Sequence, residues 1–253
     1  MNFADCSATS FFALNQAPHP SFSVPLLDGF LPNGPFHNPR IFHITGHPQS
    51  YKTTLAVEIA SDFLAIKSSA TNIVWLDCDY KFPFDLMKIK QIDMSRIIFA
   101  QCRSSEEILF NLLHIEHLLQ YHDDDNQELI RAIFIDGFNS SFWIDEKTSE
   151  FTKSKRWVFK SMIEKFVSSY GVSVIVVFQD IGDFDIWQSF ETAPFMKLRC
   201  SKTSPGEGIL SYDVYSDKFQ ITENREFKWG KRLLNSDMNQ QQEPEEEAGE
   251  PHM

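Results

Sequence analysis

Arg40-Ile41-Phe42-His43-Ile44-Thr45-Gly46-His47-Pro48-Gln49-Ser50-Tyr51-Lys52-Thr53-Thr54 is the stretch on which the fold turns. It reads as a short apolar strand, a tight loop opening at Gly46, and a Lys-Thr pair entering a helix. That is the layout of a phosphate-binding loop, G-x-x-x-x-G-K-[ST]. In such a loop the backbone N–H groups and the helix N-terminus surround the phosphates. Lys52 adds a point charge, and the Thr53 hydroxyl ligates Mg²⁺. The cofactor this predicts is ATP with Mg²⁺, held by Gly46, His47, Pro48, Gln49, Ser50, Tyr51, Lys52, Thr53 and Thr54.

One position departs from the pattern: Tyr51 stands where the loop has glycine. Glycine before the lysine lets backbone and phosphate approach closely, with no Cβ in the way. A tyrosine forced into a strained φ/ψ costs about 1–3 kcal/mol, and its ring takes up space. Lys52, Thr53 and the helix dipole work against that cost for binding, but they do not by themselves give turnover. Efficient hydrolysis is not expected.

Working outward, a helix is predicted over 52–66 from Leu55, Ile59, Phe63 and Ile66 at helical spacing. Residues 72–77 form an apolar run ending in acids, Asp77 and Asp79. A short helix at 84–90 and a strand at 97–100 follow. A helix at 104–121 opens with Ser104-Ser105-Glu106-Glu107, an N-terminal cap signal. Residues 122–126 read as a solvated turn. Residues 132–136 are a buried strand ending in Asp136, the carboxylate that would hold Mg²⁺ together with Thr53. A helix at 151–170 and an apolar run at 172–178, ending in Gln179-Asp180, complete the alternation. Strands alternating with helices imply right-handed crossovers and a parallel sheet covered on both faces. Past residue 190 the pattern changes to short strands at 195–200, 208–215, 218–222 and 225–229, read as antiparallel hairpins on one sheet edge.

The 253 residues and 42% hydrophobic content suit one core with flanking segments, strongly aromatic through 24 Phe. Three parts are expected: an irregular, proline-broken arm at 1–38, the core at 39–235, and a disordered acidic tail at 236–253. The tail holds six acids and no Lys or Arg, so it carries half of the net charge of −12. An acidic body is not an obvious independent DNA binder, because phosphate affinity rests on Lys and Arg. The four cysteines have no C-x-x-C spacing, and Cys78 and Cys102 read as reduced, buried thiols. Without a signal peptide or an apolar run of about 18 residues, the expectation is an intracellular, soluble protein with no membrane partner.

Two runs carry a resemblance: Trp75-Leu76-Asp77-Cys78-Asp79-Tyr80-Lys81-Phe82 and Ala132-Ile133-Phe134-Ile135-Asp136-Gly137-Phe138-Asn139-Ser140-Ser141-Phe142-Trp143-Ile144-Asp145. They resemble the eukaryotic RecA-family recombinase paralogues. In one branch of that family an Asp-Thr-Asp-Tyr segment and a Ser-Ala-Phe-Tyr-Trp-Ile-Asp run occupy these places. The resemblance covers about residues 41–180. It implies an α/β fold with a RecA-type P-loop core, a mostly parallel sheet with helices on both faces, and C-terminal antiparallel hairpins.

It also implies a nuclear subunit of a paralogue complex that assists the strand-exchange recombinase in homologous recombination repair. Its partners would be another RecA-family recombinase paralogue and that recombinase, with DNA met mainly through the complex. Two residues inherit catalytic positions. Asp79, one methylene shorter than the usual Glu, would orient the attacking water, and Gln179 would sense the γ-phosphate. The DNA-facing loops would fall at 139–152 and 181–206, and Phe142, Trp143, Trp187 and Phe190 are candidate partner contacts. Two other readings stand beside this one: an active DNA-dependent ATPase of the same fold, and a P-loop small-molecule kinase. The kinase needs an Arg-rich lid, and 181–206 offers only Arg199.

Overall fold

The computed structural model describes residues 41–65, 71–120, 129–140, 151–180, 195–212, 215–222 and 227–234. The chain runs β1 (Ile41–Gly46), α1 (Lys52–Ala65), β2 (Thr71–Asp77), α2 (Phe84–Ile89), β3 (Ile97–Gln101), α3 (Ser105–Gln120), β4 (Leu129–Asp136), α4 (Phe151–Tyr170) and β5 (Ser173–Val177). It continues through β6 (Phe195–Ser204), β7 (Glu207–Tyr212), β8 (Tyr215–Ile221) and β9 (Phe227–Leu234). One sheet takes all nine strands in the order β3-β2-β4-β5-β1-β6-β7-β8-β9. The six strands from β3 to β6 are parallel, and β6 to β9 pair antiparallel. A mixed α/β fold with C-terminal hairpins is what the alternation of runs predicted.

The central strands are apolar on both sides because both faces are covered, as buried parallel strands require. On one face Phe42, Ile44, Trp75, Phe134, Ile175 and Leu198 pack beneath the Leu55, Ile59 and Phe63 side of α1. Trp75 and Phe134 stack there with ring centroids 5.0 Å apart. On the other face Val74, Leu76, Ile133, Ile135, Val174 and Val176 meet Ile108, Leu112, Phe159 and Ile163 of α3 and α4. Helix α3 starts as its sequence demands. The Ser104 hydroxyl accepts the Glu107 N–H at 3.3 Å, and the Glu107 carboxylate accepts the Arg103 N–H at 2.6 Å. That reciprocal pair is a capping box displaced by one residue at its second donor.

The strand boundaries past residue 200 need correction. The expected strand at 208–215 ends at Tyr212, and Tyr215 pairs with it as the first residue of β8. Ser216-Asp217 looks like a polar turn, yet Asp217 is a buried strand residue at 2% exposure. β9 runs on to Leu234, past the Trp229 where the apolar pattern stops. Among the described residues it is an edge strand. The arm at 1–38, the turn at 122–126 and the tail at 236–253 lie outside the described residues, as do Phe142, Trp143, Trp187 and Phe190.

Candidate functional site

Parallel pairing brings four strand ends to one edge of the sheet. Asp77 is level with Asp136, Asp136 with Val177, and Val177 with Ile44. The pairing of β5 with β1 continues past the strands, with the Phe178 N–H on Ile44 O at 2.7 Å and the Asp180 N–H on Gly46 O at 2.9 Å. The loop after β1 and the acid of β4 thus stand one strand apart, and β5 delivers Gln179 between them.

Gly46 turns the chain out of β1 at φ +153°. A Cβ there would lie 2.2 Å from the Cys200 carbonyl oxygen and 2.5 Å from Ser50 Oγ, so only glycine fits. The loop then closes on itself. The Ser50 N–H reaches His47 O at 3.3 Å, and Lys52 Nζ donates to His47 O at 2.7 Å and to Ser50 Oγ at 3.4 Å. Gln49 and Tyr51 both sit in the left-handed region, at φ +62° and +65°. The left-handed backbone expected to strain Tyr51 is there. Its ring turns out of the loop, edge-on to Phe219 at 5.9 Å, and its hydroxyl oxygen accepts the Gly206 N–H at 2.6 Å.

The Thr53 hydroxyl donates to Asp136 Oδ1 at 3.2 Å, joining the two residues predicted to share Mg²⁺. Burial pushes the Asp136 carboxyl up to about 7; the Thr53 hydrogen bond works against this, and the charges of Asp79 and Asp77 add to it. Burial also lowers the Lys52 ammonium, against which Asp136, Asp180 and Asp79 pull it back up. Cys200, beneath the same lysine, is pushed up to about 12 by burial and is therefore a neutral thiol.

The two acids after β2 separate in role. Asp77 accepts three backbone N–H groups, from Asp79 at 3.1 Å, Lys81 at 3.2 Å and Phe82 at 3.0 Å, and so folds the turn that follows it. Asp79 is left to face the site. The Ser140 hydroxyl donates to Asp79 Oδ1, and the carboxylate lies over Gly137, where a Cβ would stand 2.4 Å from Asp79 Cγ. Gly137 is at φ +76°.

Gln179 is held through its backbone: its carbonyl accepts Asn139 Nδ2 at 2.6 Å, and its N–H donates to Asn139 Oδ1 at 3.1 Å. Sequence reading placed Asn139, Ser140 and Gly206 in loops and did not foresee these hydrogen bonds. Asn139 and Ser140 stood inside the resembling run, but their partners are 40 and 61 residues away, out of reach of any local pattern.

Comparison of the sequence with models of known protein families gives no match. Nor does any curated protein match it.

The donor set suits a phosphate with its divalent ion. It combines a lysine whose charge burial disfavours, the first-turn N–H groups of α1 without intrahelical partners, a hydroxyl and a carboxylate. An anion at the loop would draw Lys52 Nζ from the His47 carbonyl and favour the charged form that burial opposes. Beside Thr53 and Thr54 a cavity of about 640 Å³, lined also by Tyr51, Phe82, Phe84 and Ile221, leaves room for the remainder of a nucleotide. Arg199 stands 3.6 Å from Asp180. Among the described residues no helix is long and apolar enough to cross a membrane.

Proposed function

We propose that this chain is a RecA-type P-loop subunit of a recombinase paralogue complex, with a nucleotide site built on Lys52, Thr53 and Asp136. The Thr53–Asp136 hydrogen bond carries the reading. It joins residues 83 apart, the hydroxyl and carboxylate that would hold Mg²⁺. The strand between β1 and β4, the hairpin edge after β6, and the two resembling runs around Asp79 and Asp136 support the RecA-type core. Within the family the likeness is to the X-ray repair cross-complementing protein 2 group.

On this reading the protein acts by assembly and assists the strand-exchange recombinase in homologous recombination in the nucleus, meeting DNA mainly through the complex. ATP with Mg²⁺ would be held by Lys52, Thr53 and Asp136, with the ion supplying charge neutralisation between phosphate oxygens. Asp79 and Gln179 would serve as a water-orienting carboxylate and a phosphate sensor. Asp79 lies where Ser140 and Gly137 fix it, which favours, as the second reading, an active DNA-dependent ATPase. Co-purification from the native cell distinguishes the two. A fixed-ratio complex with a second RecA-type subunit is expected. A monomer that hydrolyses ATP on single-stranded DNA unaided would overturn the assembly reading in favour of the ATPase.

A further inference from the structure

Two thiols lie side by side at the carboxyl ends of β2 and β3. Asp77 pairs with Gln101 as the last register pair of these parallel strands, and the next residue on each is a cysteine. The ladder carries one bond further, with the Cys102 N–H on Asp77 O at 2.9 Å, while the Cys78 N–H bonds Asp136 O at 2.8 Å. By strand alternation Cys78 falls on the face of Leu76, and Cys102 on the face of Ala100. Both side chains join the core beneath α3. The Cys102 side chain beside it, and then burial, push the Cys78 thiol up, and Asn111 Nδ2 donates to Cys102 Sγ at 3.5 Å. Adjacent strands lie about 4.8 Å apart, inside the Cα separation of roughly 4.4–6.8 Å that a disulfide spans.

We propose that Cys78 and Cys102 are a redox-active dithiol that closes to an intrachain disulfide on oxidation by a peroxide. The Cys102 sulfur, which accepts a hydrogen bond from Asn111, attacks the peroxide oxygen. With hydrogen peroxide the O–O bond breaks, Cys102 becomes a sulfenic acid, and the departing hydroxide takes the thiol proton as water. The Cys78 sulfur then attacks the sulfenic sulfur, the S–S bond forms, and the second hydroxide leaves as water with the Cys78 proton. Two thiols and one peroxide give one disulfide and two waters. Both side chains are buried, at 5% and 0% exposure, but β3 is an outer strand of the sheet, with no ladder on its far side among the described residues. Local opening that admits a peroxide therefore breaks one row of strand bonds and not two. Closure would tie the outer strand to the backbone that carries Asp79 and supports Asp136. The proposal does not depend on the nucleotide reading.

The test is thiol counting and peptide mapping on the full chain. The reduced protein is treated with hydrogen peroxide, alkylated and digested. Free thiols should fall from the four of the sequence to two, and one dithiothreitol-sensitive peptide pair, Cys78 with Cys102, should account for the loss. In Cys78→Ser that pair must vanish, and Cys102 should be trapped by dimedone as sulfenic acid. The wild-type mapping decides the matter even if the variant does not fold. A titre that stays at four, or links that join other cysteines, would overturn the proposal.

Discussion

The Tyr51 hydroxyl oxygen accepts the Gly206 N–H at 2.6 Å, tying the loop before α1 to the turn between β6 and β7 across 155 residues of sequence. The bond explains how a tyrosine is tolerated at φ +65°. A left-handed non-glycine residue costs about 1–3 kcal/mol. A hydrogen bond returns about 1 kcal/mol, and an edge-on aromatic contact such as Tyr51 on Phe219 a further ~0.5–1.5 kcal/mol. These terms are of equal size, so the loop keeps its shape with a side chain that anchors it from outside.

Tyr51→Phe removes the acceptor for Gly206 and keeps the ring on Phe219. The expected loss is about 1 kcal/mol, or roughly 2–4 °C in melting temperature for a chain of this size. A thermal melt that does not move would show that the Gly206 N–H is satisfied equally well by water, and that the tie is incidental.

Asn139 is 2% exposed and holds the Gln179 backbone with its amide, one bond given and one accepted. Asn139→Ala leaves a carbonyl and an N–H unpaired at the end of β5. With about 1–1.5 kcal/mol for each bond, the expected cost is roughly 2–3 kcal/mol. The denaturant midpoint should fall with an unchanged slope. Asn139→Asp keeps the acceptor and loses the donor, so it should fall between the variant and the parent.

Asp136 gives the fold a pH dependence of definite sign. Its carboxyl holds a proton to about pH 7 when folded, whereas the ordinary value is 3.8. Between those values the native state binds a proton that the unfolded chain has released, so this group's contribution falls as pH rises. It is fully present below pH 3.8 and lost once pH has passed about 7. The slope is at most about 1.4 kcal/mol per pH unit. Asp136→Asn has no carboxyl to titrate, so its stability relative to the parent should improve steadily across that window and then level off. Denaturant midpoints in a pH series would show it. A constant gap would mean that Asp136 is charged throughout.

How much of this was legible differs from element to element. The strands ending at Gly46, Asp77, Asp136 and Val177 announced themselves because buried parallel strands read as unbroken apolar runs, and Gly46 and Lys52 mark the loop by local spacing. Asp217 hid the start of β8, since a single buried carboxylate is locally indistinguishable from a turn residue. The orientation of Tyr51 was out of reach for a different reason. Sequence gives the strained position, but the direction of the ring depends on where Gly206 and Phe219 are folded. The same holds for Asp77 and Asp79, two residues apart and chemically alike. One is consumed by three backbone N–H groups, and the other is presented by a serine 61 residues on.

Lys52 offers the most direct test of the site. Its ammonium rests on the loop's own carbonyl at His47, 2.7 Å away, where burial disfavours its charge. A phosphate arriving at the loop exchanges a neutral acceptor for an anionic one, and charge-assisted bonds are about twice as strong as neutral ones. Removing the lysine takes away about 1.5–3 kcal/mol, so Lys52→Ala should weaken binding of a fluorescent ATP analogue by roughly ten- to a hundredfold. Thr53→Val should act differently, since it removes the hydroxyl beside Asp136 and leaves the lysine in place. Its affinity should fall in Mg²⁺ to the level seen without Mg²⁺, and remain there when the metal is withdrawn. Equilibrium titrations of the parent and both variants, with and without Mg²⁺, separate the two contributions. If the parent binds no analogue in either condition, the loop is only structural, and its lysine serves to close the turn at His47.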